Sequence, residues 1–128
     1  MAKKKILVVD DEVSIVQLAK FRLESNNYEV VTATNGKEAL EKIKQEKPDA
    51  VLLDVMMPEL DGLSVLKRIR ETDKNLPVFM FTAFSNEERF KVASNLNASG
   101  FILKTADLQS EIKNITNILN AIDRTNKK

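Results

Sequence analysis

The sequence predicts an α/β fold: one doubly wound, five-stranded parallel sheet with helices on both faces. Three observations carry this reading. Unbroken four-residue apolar runs recur, as in Ile6-Leu7-Val8-Val9 and Ala50-Val51-Leu52-Leu53. A strand buried on both faces reads this way, because neither side of it meets water. Between such runs lie segments whose apolar residues repeat at three and four, the helical period. Finally, the runs stop on polar residues, among them Asp10, Asp54, Thr82 and Lys104. In open sheets of this class the carboxyl ends of the strands are where ligands and chemistry sit.

The first strand covers residues 6–9 and ends at Asp10-Asp11-Glu12. The helix after it runs to about residue 26, with Ile15, Val16, Ala19 and Leu23 in helical register, and Asn26-Asn27 closes it. Residues 28–33 form the second strand, where Val30, Val31 and Thr32 favour β structure. Asn35-Gly36-Lys37-Glu38 is an N-cap with an acidic partner three residues on. The short helix it opens presents Ala39, Leu40 and Ile43 and stops before Pro48. The third strand is residues 50–53, ending on Asp54. Pro58 then disfavours helix at Met57, and Asp61-Gly62 signals a turn.

A helix over residues 63–72 sets Leu63, Leu66 and Ile69 on one face. Asn75-Leu76-Pro77 is a loop, and the fourth strand, residues 78–81, ends at Thr82. Ser85-Asn86-Glu87-Glu88 is a capping box opening a helix toward Leu96. Ser99-Gly100 leads into the fifth strand, residues 101–103, which ends at Lys104. The last helix runs from about Asp107 to Asp123 on Leu108, Ile112, Ile115, Leu119 and Ile122, and the polar tail over 124–128 is expected to fray. Strands alternating with helices imply a parallel sheet covered on both faces. Right-handed crossovers favour the strand order 2-1-3-4-5 of flavodoxin-like (βα)5 folds, with the switch point between strands 1 and 3.

The chain has 128 residues, 43% hydrophobic and 30% charged, which fits one domain, residues 1–128, with a real core. A net charge of +1 argues against a dedicated nucleic-acid binder. There is no Cys and no His, which excludes disulfides, thiolate chemistry, a Ser-His-Asp triad, a His base and a phosphohistidine donor. Lys3-Lys4-Lys5 is followed by only four apolar residues, too few for a secretory leader, and no segment is long enough to span a membrane. The expected location is the cytoplasm.

Strand 1 delivers Asp10 and Asp11 to the carboxyl edge, strand 3 Asp54, strand 4 Thr82 and strand 5 Lys104. Each has a plain reading. Asp10 and Asp11 suit the start of a helix, where they would cap it. Asp54, Thr82 and Lys104 suit a solvated loop or surface. Together they read differently. The strand order brings three carboxylates together, and these repel unless a cation joins them. All-oxygen ligation favours a hard ion, with Mg²⁺ the cytosolic default. Its open positions would take phosphoryl oxygens. Lys104 is a compact cation for Asp54 or for a phosphate on it, and Thr82 a hydroxyl donor. Nucleophile, charge neutralisation and positioning are the parts of phosphoryl transfer.

Ile6-Leu7-Val8-Val9-Asp10-Asp11-Glu12, Asp49 to Gly62, Phe81-Thr82-Ala83, and Phe101 with Lys104 resemble the receiver domains of bacterial two-component response regulators. The resemblance covers nearly the whole chain. It implies that Asp54 is the phospho-acceptor, a histidine kinase or phosphotransfer protein the donor, and Mg²⁺ the cofactor. Asp11 would ligate the ion directly and Asp10 largely through water, with Asp54 and the Met56 backbone carbonyl completing the protein ligands. Thr82 and Phe101 would form the switch pair, and the fourth helix, fifth strand and fifth helix the face offered to a downstream protein. Such a protein is a signalling module with only self-phosphorylation and self-dephosphorylation, not a metabolic enzyme.

One departure stands out: Thr105 follows Lys104 where the family usually has a cis-bonded Pro. A cis bond before a non-proline residue costs about 2.5–4 kcal/mol, so a trans bond is expected. Met56 and Phe84 are apolar and bulky where a polar side chain could orient a hydrolytic water, so slow self-dephosphorylation is expected.

Other readings fit less well. An aspartate-nucleophile phosphohydrolase would carry a second acid two residues past the first, where this chain has Met56. An FMN carrier would open its first strand into a phosphate loop, which Asp10-Asp11-Glu12 would repel. A receiver that binds partners without phosphorylation is suggested by Thr105 alone.

Overall fold

The computed structural model describes residues 3–57, 60–82, 87–103 and 107–126. Strands β1 (Lys5–Val9), β2 (Glu29–Ala33), β3 (Ala50–Asp54), β4 (Val78–Thr82) and β5 (Gly100–Leu103) alternate with helices α1 (Val13–Ser25), α2 (Gly36–Glu46), α3 (Gly62–Thr72), α4 (Glu87–Asn95) and α5 (Leu108–Asn126). All strand pairs are parallel, in the order β2-β1-β3-β4-β5. The predicted fold class and topology are those observed.

Successive strand residues face opposite sides of a sheet, and the apolar runs therefore feed two cores. Leu7, Val9, Val51, Leu53, Val78 and Met80 pack with Val65, Leu66 and Ile69 of α3 and Ala39 of α2. Ile6, Val8, Ala50, Leu52, Phe79 and Phe81 pack with Ala19 and Leu23 of α1 and Ile112, Ile115 and Leu119 of α5. A run such as Ile6-Leu7-Val8-Val9 cannot alternate with polar residues, because both of its faces are covered.

The predicted cap of α2 forms. The Asn35 side chain accepts from Glu38 N at 2.8 Å, and Glu38 Oε1 accepts from Thr34 N at 2.6 Å. Asp61 caps α3, its carboxylate accepting from Ser64 N at 2.9 Å. The expected cap of α4 over Ser85-Asn86 lies outside the described residues. The last helix runs on to Asn126, three residues past the expected Asp123, so residues 124–126 are helical where a frayed tail was expected. Apolar spacing registers only a helix's buried face, so it ends before the backbone does.

Candidate functional site

Register sets the site. Val9 pairs with Leu53 across β1 and β3, so the residues after them, Asp10 and Asp54, come side by side at the carboxyl edge. Asp54 is the last residue of β3 and only 2% exposed. Its Oδ1 accepts a hydrogen bond from Met56 N at 3.2 Å. Asp10 is buried, and its Oδ1 accepts from Glu12 N at 2.9 Å, which turns the chain toward α1. Asp11 is exposed. The plain reading of these two acids as helix caps does not hold: the N-cap of α1 is Glu12, and it makes no side-chain cap bond.

One carboxylate oxygen from each of Asp10, Asp11 and Asp54 lies within 4.8 Å of the others. Two oxygens on one Mg²⁺, each bonded at about 2.0–2.1 Å, lie at most about 4.2 Å apart, so a small side-chain movement would close the group on an ion. Three hard oxygen donors, two buried and one facing solvent, fit a divalent cation that keeps part of its water. Two carboxylates in the dry edge of a sheet are otherwise an arrangement that repulsion disfavours.

Thr82 ends β4 and is 3% exposed. By the alternation of β4 it shares a face with Val78 and Met80. Phe101, whose backbone pairs with Met80, is half-buried against that same core. Thr82 and Phe101 thus lie on one side of the sheet, the side of α3. Met56 is 51% exposed at the mouth of the site. Lys104, Thr105 and Phe84 lie outside the described residues, and with them the expected trans bond.

One residue that positions the site was missed by the sequence reading, which took it only as a turn signal. Gly62 N donates to Val55 O at 2.9 Å, closing the loop after β3. A Cβ on Gly62 would overlap the Asp54 carbonyl oxygen. The glycine is required by this close approach rather than by an unusual φ.

The response regulator receiver domain model matches residues 6–116. The chain belongs to that family. Among curated relatives, the alkaline phosphatase synthesis transcriptional regulatory protein PhoP of Bacillus subtilis is 46% identical over 101 residues, 79% of this chain and 42% of the relative. A protein-glutamate methylesterase/protein-glutamine glutaminase of Trichodesmium erythraeum is 45% identical over 119 residues, 90% of this chain and 34% of that protein. The chain thus spans well under half the length of both. Among solved structures, the chemotaxis protein CheY4 of Vibrio cholerae is 31% identical with a TM-score of 0.86, covering 91% of this chain and 99% of that one. A CheY-like receiver domain protein of Methanospirillum hungatei is 27% identical with a TM-score of 0.91, covering 96% and 98%.

Membership makes the matched residues a receiver module of two-component signalling. Among the described residues no helix is long and apolar enough to cross a membrane. The expectation of no nucleic-acid partner gains no support, since one of these relatives is described as a transcriptional regulator.

Proposed function

We propose that this protein is a phosphorylation-controlled switch, its residues 1–128 forming one receiver domain, that acts in the cytoplasm and accepts a phosphoryl group on Asp54. The observation that carries the proposal is the buried Asp54 grouped with Asp10 and Asp11 within 4.8 Å. In the reaction a carboxylate oxygen of Asp54 forms a bond to phosphorus while the bond from phosphorus to the donor's imidazole nitrogen breaks, and the imidazole takes a proton. Asp10, Asp11, Asp54 and the Met56 carbonyl would hold Mg²⁺, which when bound neutralises charge on the transferring group. Lys104 pairs with the phosphoryl group, and the Thr82 hydroxyl donates to it. The donor is a histidine kinase or phosphotransfer protein.

Phosphorylation adds a charge of about −1.5 to −2. Thr82 turns toward it, and Phe101 moves into the space released. Phe101 has no hydroxyl to satisfy, so this motion changes the apolar character of the surface. The face read by a downstream protein is then α4, β5 and α5, where Val92 and Leu103 are already 41% and 42% exposed. Between β5 and α5 a hollow of about 300 Å³ is lined by Phe101, Ile115 and Ile118.

The test is intact mass after incubation with acetyl phosphate and Mg²⁺. One added phosphoryl group is expected in wild type and none in Asp54→Ala or after chelation of the metal. A group that persists in Asp54→Ala moves the acceptor elsewhere.

A further inference from the structure

The fold leaves open a groove of about 450 Å³ between α2 and the segment entering α3, lined by Lys37, Leu40, Glu41, Lys44, Leu60 and Arg68. Leu40 and Leu60 are half-buried and pack on the core beneath α2 and α3. They form an apolar floor. Lys37, Glu41, Lys44 and Arg68 are exposed around it. Lys37, Glu41 and Lys44 follow one another at helical spacing, so they share one face of α2, and Arg68 reaches in from α3. Three cations therefore surround the floor against one carboxylate. Among the described residues none of the three is in an ion pair, whereas Lys5 is held by both Glu29 and Glu46.

The elements that flank the groove are closely packed. A Cβ on Gly36 at the start of α2 would fall 2.8 Å from Val65 Cγ2 and 2.9 Å from Leu60 Cδ2, so α2, α3 and Leu60 already touch. None of the residues assigned to phosphoryl transfer or to the switch lines it.

We propose that this groove docks an acidic amphipathic segment of a partner protein, as an apolar anchor side chain set among carboxylates. The aliphatic floor takes the anchor, and the cationic rim takes the acids and sets their register. A nucleic acid would supply negative charge but no aliphatic group for Leu40 and Leu60, and its phosphates would face Glu41. A protein segment can place its acids to either side of Glu41. This inference stands apart from phosphorylation of Asp54.

The test is amide NMR of the full chain with three probes: a short capped peptide with Leu on one face and Glu on the other, the same peptide with Lys in place of Glu, and a short DNA duplex. The Glu peptide is expected to shift the amides of Lys37, Leu40, Lys44, Leu60 and Arg68, with affinity that falls as salt rises. Lys37→Glu with Lys44→Glu is expected to weaken it about tenfold or more. Arg68→Gln, a single exposed substitution, should weaken it by a smaller factor and guards against misfolding of the double variant. Equal binding of the Glu and Lys peptides, stronger shifts of these amides by DNA, shifts confined to another face, or none at millimolar peptide would each overturn the proposal.

Discussion

Gly62 shows how little room the loop after β3 has. Its amide is bonded to Val55 O, and the space where a side chain would start is filled by the Asp54 carbonyl. Backbone cannot rotate aside as a flexible side chain would. Gly62→Ala is therefore expected to cost about 1–3 kcal/mol, the scale of overpacking in a filled site. Urea unfolding should show a lower midpoint with an unchanged slope, and the Met56 amide, bonded to Asp54 Oδ1, should shift in NMR spectra. Met56 lends itself to a kinetic prediction. Its side chain is half exposed beside Asp54 and offers only a weak sulfur acceptor to water. In Met56→Asn an amide can orient the attacking water. One contact worth about 1.4 kcal/mol in the transition state speeds loss of phosphate roughly tenfold, to be followed after removal of donor at fixed Mg²⁺. Phe84→Glu should act in the same direction. Unchanged rates in both variants would rule out apolar screening as the determinant of lifetime. Asp10 and Asp54 were legible in the sequence because each interrupts an apolar run at its end. The role of Gly62 was not, because it lies in a contact across the loop that spacing does not encode.

Among the elements, one side chain of α3 ties that helix to the turn between α4 and β5. Arg70 Nε donates to Leu96 O at 2.8 Å, one of its terminal nitrogens to Asn97 O at 2.9 Å, and the other to Asp73 O at 3.0 Å. Leu96 and Asn97 follow the last turn of α4, where carbonyls lack helical partners and a cation is favoured. Burial lowers the pKa of the Arg70 guanidinium, but it stays charged at any working pH. Arg70→Met keeps the stem and removes the three bonds. Partial solvent access lets water replace some of them, so a loss of about 1–3 kcal/mol is expected. Amide exchange should speed up at Asn97 and Ala98, whose N–H groups bond back to Ser94 O and Ala93 O, more than elsewhere in the sheet. Uniform acceleration would show a general loss of stability rather than a local tie. Little of this tie is visible in the sequence, where Arg70 is one more cation on a helix. Apolar spacing located four of the helices and a capping box the fourth in order, yet in α1 the spacing singled out Ile15, Val16, Ala19 and Leu23 while Val13, Leu18 and Phe21 remain exposed on the outside. Periodicity reports a buried face and says nothing about a second apolar one.

At the scale of the whole molecule, strand order was legible because the alternation of strand and helix leaves few right-handed topologies. The convergence of Asp10, Asp11 and Asp54 follows from that order and from the Val9 to Leu53 register. Chemistry and stability therefore meet at the same edge. Folding brings three acidic groups together that the unfolded chain keeps apart, so their repulsion acts against the native state. A divalent cation bound there acts for it. Because the unfolded chain has no such site, Mg²⁺ at ten times its dissociation constant should stabilise the fold by about 1.4 kcal/mol. For a domain of this size that corresponds to a rise in Tm of roughly 3–6 °C. Sodium chloride at equal ionic strength should give much less, since screening weakens the repulsion without occupying the site. Asp11→Asn removes the exposed member of the group and a ligand charge. It should melt higher than wild type in chelator, because one repulsion is gone, and gain less from Mg²⁺. The two curves cross as the metal is added. Thermal melts over a Mg²⁺ series for both proteins read this directly, and parallel curves would mean that the ion stabilises the fold from somewhere other than the carboxyl edge of β1 and β3.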